Sequence, residues 1–418
     1  MKKWAERESL RSLRHSNFRR LFAASLVSNL GSWAQMIAQD WLVLELTDSA
    51  LALSIVTLLQ LSPALALSLP AGVIADRYSK RNVLIVTNLL GSLSALTLGT
   101  LIITDHIALW QVMVMAFILG SVSALDNPVR MALQVEIVGR DDLPNAVSLN
   151  SMNFNIARLA GPALSGLLIR AFGTGPSFIL NAASFVFVII ALLRIRTDEL
   201  HVEPRAEVKG TIREGWDYIW ARPDLKAVLL AAFFTSAFGL NFNFFNAMMV
   251  TKVFHLDAAV FGTLGTIVAI GSLTGAFLSA RLERWRTPGN MLRGAVVFGT
   301  VVALISLAPN LGVYAALLPL GGVTALLTLI TANSCMQLHT DPAVRGRVLA
   351  WYVMAFNAPF GQPLLGWISD QVGVRGAIAI GGAVTATSAI AIALRFRGRL
   401  SRPADYSIDA VLDAVRRV

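Results

Sequence analysis

Three groups of ionisable side chains stand where an apolar chain has few reasons to carry them. Asp40 falls inside an apolar run from about Leu21 to Leu44, and Arg158 inside another at about 146–169. Asp76, Arg77, Lys80 and Arg81 crowd the short gap between the runs 51–74 and 83–104. A charge at the depth of a hydrocarbon layer is expensive unless water or a partner compensates it, so each invites a chemical reason. Asp40 shares one helical face with Ser25, Asn29, Ser32 and Met36, which follow one another at steps of three or four residues. A carboxyl on such a face, surrounded by apolar helices, has its charged form disfavoured, which suits it to take up and release a proton. The plainer alternative is a structural acid hydrogen-bonded near the lipid–water boundary. Arg158 cannot realistically lose its proton and so needs an anion, a set of carbonyls or water. With Asn155 on the same face it is either a counter-ion, for Asp40 or for an acidic ligand group, or a donor to carbonyls freed by Pro162. Asp76 ends the second run, where it can accept from an opposing helix N-terminus or pair with an arginine. The cations beside it form a latch in one reading, and in the other merely orient the helices.

The elements that must position these groups follow from composition. Of 418 residues, 55% are hydrophobic and 14% charged, and the mean hydropathy is +0.64. That is more apolar surface than a soluble core of this size can hide, so the chain is an all-α, polytopic membrane protein whose first partner is the lipid bilayer. Twelve apolar runs are present: the first from 21 to 44, then others near 51–74, 83–104, 107–127, 146–169, 176–194, 226–250, 259–280, 291–308, 312–336, 348–369 and 376–394. The first is too long for a signal-peptide core and is expected to be an uncleaved span. The net charge of +10 is no sign of nucleic acid, because the basic residues sit in short segments between the runs. With the N-terminus in the cytoplasm and one crossing per run, all but Arg158, Arg170, Lys252 and Arg375 among the 35 lysines and arginines fall on the cytoplasmic side. The bias places both termini there.

The polar stretch near Arg194–Lys226 divides the runs six and six. The expected organisation is a basic arm at 1–20, a six-helix bundle at 21–194, a cytoplasmic linker at 195–225, a second six-helix bundle at 226–394 and a cytoplasmic tail at 395–418. Equal halves prompt a search for a repeat. Gly161-Pro162-Ala163-Leu164-Ser165-Gly166 recurs 200 residues later as Gly361-Gln362-Pro363-Leu364-Leu365-Gly366, and the hairpin Gly72–Arg81 recurs more faintly at Gly275–Arg284, where Ser279 replaces Asp76. At the hairpin's offset Asn243 stands opposite Asp40. The linker segment Arg213–Trp220 spaces its aromatics helically and is expected to lie on the cytoplasmic leaflet.

Twelve spans, a six-plus-six repeat and Gly72-x-x-x-Asp76-Arg77-x-x-Lys80-Arg81 after the second span resemble the major facilitator superfamily, whose loop motif is Gly-x-x-x-Asp-Arg-x-Gly-Arg-Arg. Ser79 replaces the usual glycine, and Lys80 stands where arginine is commoner. The resemblance implies two pseudo-symmetric six-helix bundles around a shared cavity, and a cytoplasmic gate in which the basic end of the hairpin pairs with an acid on the fourth span, here Asp126. More narrowly, Trp41–Ser49 and Asp126-Asn127-Pro128 look like the bacterial exporter branch that includes enterobactin and macrolide exporters, and Gly161-Pro162 is similar to the antiporter motif of the fifth span. The branch implies export of small organic molecules such as drugs or siderophores across a bacterial inner membrane.

Cavity-lining candidates are Asn29, Ser32 and Met36 on the first span, Ser236, Asn243 and Asn246 on the seventh, and Tyr352, Asn357 and Gln362 on the eleventh. Phenylalanines flank the seventh-span amides, and interhelical bonding explains the amides as well as a cavity wall does. Gly161, Pro162, Gly166, Gly361, Pro363 and Gly366 read as packing and bending residues. Cys335 is the sole cysteine, the five histidines fall in loops or the N-terminal arm, and no Gly-x-x-x-x-Gly-Lys-Ser/Thr loop occurs. No metal, cofactor or enzymatic chemistry is therefore expected. The expected function is alternating-access transport by a monomer with a small-molecule substrate and a proton as partners. An importer, or a receptor or scaffold that does not transport, is the alternative.

Overall fold

The computed structural model describes residues 8–201, 211–282, 285–356, 360–398 and 400; the side chains of 8, 9, 68–73, 75, 76 and 212 lie outside that description. Helices α1 (Ser16–Thr47), α2 (Ala50–Arg77), α3 (Lys80–Ile103), α4 (Leu109–Phe172) and α5 (Gly175–Leu193) come first. After the linker follow α6 (Ile212–Ala221), α7 (Pro223–Phe234), α8 (Phe242–Met248), α9 (Ala258–Arg281), α10 (Pro288–Ser306), α11 (Leu311–Leu338), α12 (Arg345–Phe356), α13 (Gly361–Val372) and α14 (Val374–Arg395).

Among the described residues nine helices are long and apolar enough to cross a membrane. The 64 residues of α4 would stretch about 96 Å at 1.5 Å per residue, roughly three times the thickness of a hydrocarbon layer. The helix turns at Gly139, whose φ of 70° and ψ of 174° are not helical, so it makes two spans. α1 is 32 residues long, and α12 and α13 belong to the eleventh span, with 357–359 between them outside the described residues. With these the protein is an all-α membrane protein of about twelve spans. Local chemistry sets the turns. Asp48 takes a left-handed φ of 51° and donates its N–H to Leu44 O, while Ser49 Oγ caps α2 by accepting from Ala52 N at 3.2 Å. Gly173 (φ 78°) precedes α5, and Gly373 (φ 85°), 200 residues on, precedes α14. The repeat thus extends to a turn that only glycine adopts without strain.

The chain forms two compact units, one of Met1–Ala206 with His255–Thr266, the other of Glu207–Phe254 with Ile267–Val418. In the first, α3 packs on α5 where Gly91 faces Phe185 and Gly99 faces Ile179, and α1 meets α5 where Gly31 faces Asn181. Phe18, Leu84, Leu133, Ile137, Val188 and Leu192 form its buried core. A short 3₁₀ helix, Glu8–Arg14, clamps the Gly139 turn: Arg11 Nε pairs with Asp142 at 2.9 Å, His15 Nε2 with the same carboxylate at 2.8 Å, and Ser12 N donates to Asn145 Oδ1.

In the second unit α10 packs on α14 through Gly299 and Gly382, and α9 on α11 through Gly271 and Gly322. The third span pairs with the sixth, and the ninth with the twelfth. Here α6 takes the place of the 3₁₀ clamp. Its Glu214 pairs with Arg347, Gly215 lies against Arg347, Tyr218 and Ile219 are buried, and Trp216 stacks on Trp220 at 4.2 Å and meets Trp351 at 4.6 Å. The aromatic spacing that reads as a lipid-seeking face is thus partly a packing face on α12.

Candidate functional site

In the first unit the polar face of α1 changes character along its length. Ser32 is exposed, Ser25, Asn29 and Met36 are half-buried, and Asp40 is buried, 8% exposed. Asn29 donates to Asn153 Oδ1 at 3.0 Å and Ser32 to Asn181 Oδ1 at 3.4 Å. A second polar row runs beside it: Gln35 Oε1 accepts from Asn181, and Gln39 donates to Gln60 Oε1 at 3.0 Å. These bonds tie α1 to α2, α4 and α5. Among the described residues, no hydrogen bond or ion pair reaches the Asp40 carboxyl.

The Gly161–Gly166 element packs on two sides. A Cβ at Gly161 would sit 2.4 Å from Trp33 Cβ of α1, one at Gly166 would sit 2.7 Å from Ala258 O, and one at Gly262 would sit 2.2 Å from Pro162 O. Thr266 donates to Leu159 O at 3.0 Å, and Trp41 stacks on Phe261 with centroids 6.2 Å apart. Backbones this close tolerate no side chain between them. Arg158 is half-buried and engaged, while Asn155 turns back to Ser151 O at 2.8 Å.

In the second unit the seventh span is broken, which its sequence, free of proline over 226–250, does not announce. After α7 the backbone widens into π turns at Thr235–Gly239, leaves helical geometry at Leu240 and Asn241, resumes as α8 and widens again at Met249–Val253. Asn241 Nδ2 donates to Ala237 O at 3.0 Å, satisfying a carbonyl that the wider turn displaces. Gly361, at the start of α13, faces this segment so closely that a Cβ there would sit 2.1 Å from Ala237 O. Ser236 Oγ donates to Phe356 O, at the end of α12. The widened segment of the seventh span therefore packs directly on the start of α13 and the end of α12. Phe234, Phe238, Phe242 and Asn241 stand half-buried around it, and Phe234 stacks on Phe238 at 6.2 Å.

Asn243 and Gln362 are half-buried and engaged; Pro363 is half-buried and Gly366 buried in α13. Asn246, expected on a cavity wall, is instead fully buried and accepts from Tyr314 Oη at 2.8 Å. Tyr352 is likewise interior, 4% exposed, and stacks on Phe356. An amide on the inward face of α8 serves interhelical bonding better than a solute. Asn357 lies outside the described residues, as do the side chains of Gly72 and Asp76.

The pairing expected between the hairpin and Asp126 is corrected. Asp126 binds Arg130 one turn along α4 at 2.7 Å and accepts from Thr87 and Asn88 of α3. Lys80 meets Glu136 at 2.7 Å, with both side chains largely buried. Arg81 caps α5, donating to Leu192 O and Leu193 O at 2.8 Å each. Arg77 is exposed. Glu136 was not singled out in the sequence, although it stands two residues after Gln134, where an amphipathic linker begins. Among the described residues no group of His, Cys, Asp and Glu side chains is placed to hold a metal ion.

The family model described as a transmembrane secretion effector, within the major facilitator superfamily, matches residues 7–409. The chain belongs to that family. Among similar proteins, the staphyloferrin A transporter of Staphylococcus aureus is 24% identical over 357 residues, covering 84% of this chain and 89% of the relative. The multidrug efflux pump Tap of Mycolicibacterium fortuitum is 27% identical over 369 residues, covering 85% and 89%. The solved nucleoside transporter NupG has the same fold, with a TM-score of 0.72 at 12% identity over 91% of this chain and 99% of that one. As a member of the major facilitator superfamily the protein is a multi-pass transmembrane transporter of small molecules rather than an enzyme.

Proposed function

We propose that this transporter is a proton-coupled exporter of small organic molecules of the drug or siderophore class, working by alternating access as a monomer in a bacterial inner membrane with both termini in the cytoplasm. The observation that carries the coupling is Asp40, a buried carboxyl on the polar face of α1 with no described partner. A buried ion without compensation is costly, so such a group favours exchanging its charge for a proton or facing a cationic solute. Export and substrate class are supported by relatives named for a siderophore and for multidrug efflux. The half-buried phenylalanines at the break in the seventh span fit a solute with an apolar or aromatic body and few polar groups. The Lys80–Glu136 pair stands as the hairpin's contribution to a cytoplasmic latch.

The test joins two measurements. Cells lacking and overproducing the protein are screened for accumulation of toxic dyes, antibiotics and their own secreted siderophores; overproduction is expected to lower accumulation of at least one. Flux of that compound is then followed in proteoliposomes under an imposed pH gradient. The unaltered protein responds to the gradient and Asp40→Asn does not. A full response from Asp40→Asn refutes the role of Asp40 in coupling, and raised accumulation refutes export.

A further inference from the structure

The loop between α9 and α10 opens onto a cleft that transport does not require. It lies between α10 and α11, has a volume of about 230 Å³, and is lined by Trp285, Asn290, Arg293, Val297, Leu327 and Thr331, among others. Its walls belong to membrane spans whose outward residues are apolar and open: Val297 is 52% exposed and, further along the same face, Leu304 is 51% exposed. Apolar side chains exposed along a span face acyl chains. The polar end lies at the hairpin. There Arg293 is exposed and bonds Asn290 Oδ1 through Nη1 at 3.0 Å, which leaves other guanidinium donors available. Arg281 and Arg286 stand on the same hairpin, Arg286 donating weakly to Ser279 O at 3.5 Å, and none of the described residues lining the cleft is an acid.

We propose that this cleft is a binding site for an anionic phospholipid, with the headgroup phosphate at Arg293 and Asn290, Trp285 at the interface, and an acyl chain along Val297 and Leu327. Seven residues separate Asn290 from Val297, about 10 Å of helix rise, which carries the groove from headgroup depth into the hydrocarbon. The first unit supplies an internal comparison. Its equivalent cleft, of about 450 Å³ between α3 and α4, is lined by Ser79 and Ser121 where the second, 203 residues on, has Leu282 and Thr324. Of its hairpin cations Lys80 is committed to Glu136 and Arg81 to the end of α5, exposed Arg77 is not among the residues that line the cleft, and Leu90 lines it where the second has Arg293. Repeat geometry makes both clefts, and Arg293 makes the second selective for negative charge.

Trp285 supplies the reporter. The full chain is reconstituted in phosphatidylcholine nanodiscs containing rising fractions of brominated phosphatidylglycerol or brominated phosphatidylcholine, and the quenching lost in Trp285→Phe is assigned to this site. Half-quenching is expected at about fivefold lower mole fraction for the phosphatidylglycerol. Arg293→Gln brings the two lipids together while Trp285 remains quenchable by both, which shows that the cleft is still formed; Arg293→Lys keeps the preference. Equal quenching by both lipids in the unaltered protein overturns the proposal, as does a preference that survives Arg293→Gln. Loss of the preference on adding millimolar inorganic phosphate assigns the site to a free anion and overturns it too.

Discussion

Replacing Gly361 by alanine tests whether α13 and the broken seventh span form a tight joint. The added Cβ would lie 2.1 Å from Ala237 O and 2.5 Å from Ala237 C, where ordinary contacts begin near 3.4 Å. Neither neighbour is the end of a flexible side chain, so α13 and the π segment must part by about 1 Å or more. In a close-packed interior such overpacking costs about 1–3 kcal/mol. Intrinsic helix propensity pulls the other way, since alanine is favoured over glycine by roughly 1 kcal/mol. The sign of the effect therefore discriminates. Gly346→Ala is the control, because nothing lies within 4 Å of a Cβ there. Unfolding of purified protein followed by tryptophan fluorescence should show a midpoint lowered by several degrees for Gly361→Ala and unchanged or raised for Gly346→Ala. Efflux of the compound found in the accumulation screen should fall in the first variant only. Equal midpoints for the two variants would mean that α13 and the π segment do not touch as described.

Lys80 and Glu136 should couple by about 0.5–3 kcal/mol in a double-mutant cycle with Lys80→Gln and Glu136→Gln, read from unfolding midpoints, whereas Asp126→Asn combined with Lys80→Gln should be additive. Gly373→Ala should destabilise by about 1–3 kcal/mol although nothing lies within 4 Å of the new Cβ, because its φ of 85° suits only glycine; an unchanged midpoint would show that the turn relaxes freely.

What was legible in the sequence was whatever a one-dimensional pattern encodes. Apolar runs of bilayer length gave the spans. Gly161 and Gly361 were recognisable as close-approach positions because proline and small residues cluster around them. The widened turns of the seventh span were not legible. No proline interrupts residues 226–250, and a π turn differs from an α turn by one residue of register, which hydropathy does not record. The local clue was Asn241, whose short amide can replace a lost backbone partner. Arg81 escaped for a different reason: a cation after a span looks the same whether it faces lipid headgroups or caps a helix 111 residues away. Glu136 was one acid among several, and only the fold brings it to Lys80.

The repeat separates scaffold from chemistry. Features that recur near an offset of 200 hold each unit together: the glycine turns at 173 and 373, the small-residue stretches at 161 and 361, and the clamps of Glu8–Arg14 on the Gly139 turn and of α6 on Arg347. The features that do not recur are the ones with chemical reach. Asp40 has Asn243 at its counterpart, α1 runs unbroken through 32 residues where the seventh span is broken, and the cleft lined by Leu90 in the first unit is lined by Arg293 in the second. Duplication first gives two equal halves, and each later departure from equality must be tolerated against packing that both halves share. Asp40 is buried without a described partner and the seventh span gives up regular hydrogen bonds, so neither departure is explained by stability. The proposed function supplies a reason for both, with the proton at Asp40 in the first unit and the solute at the broken seventh span in the second.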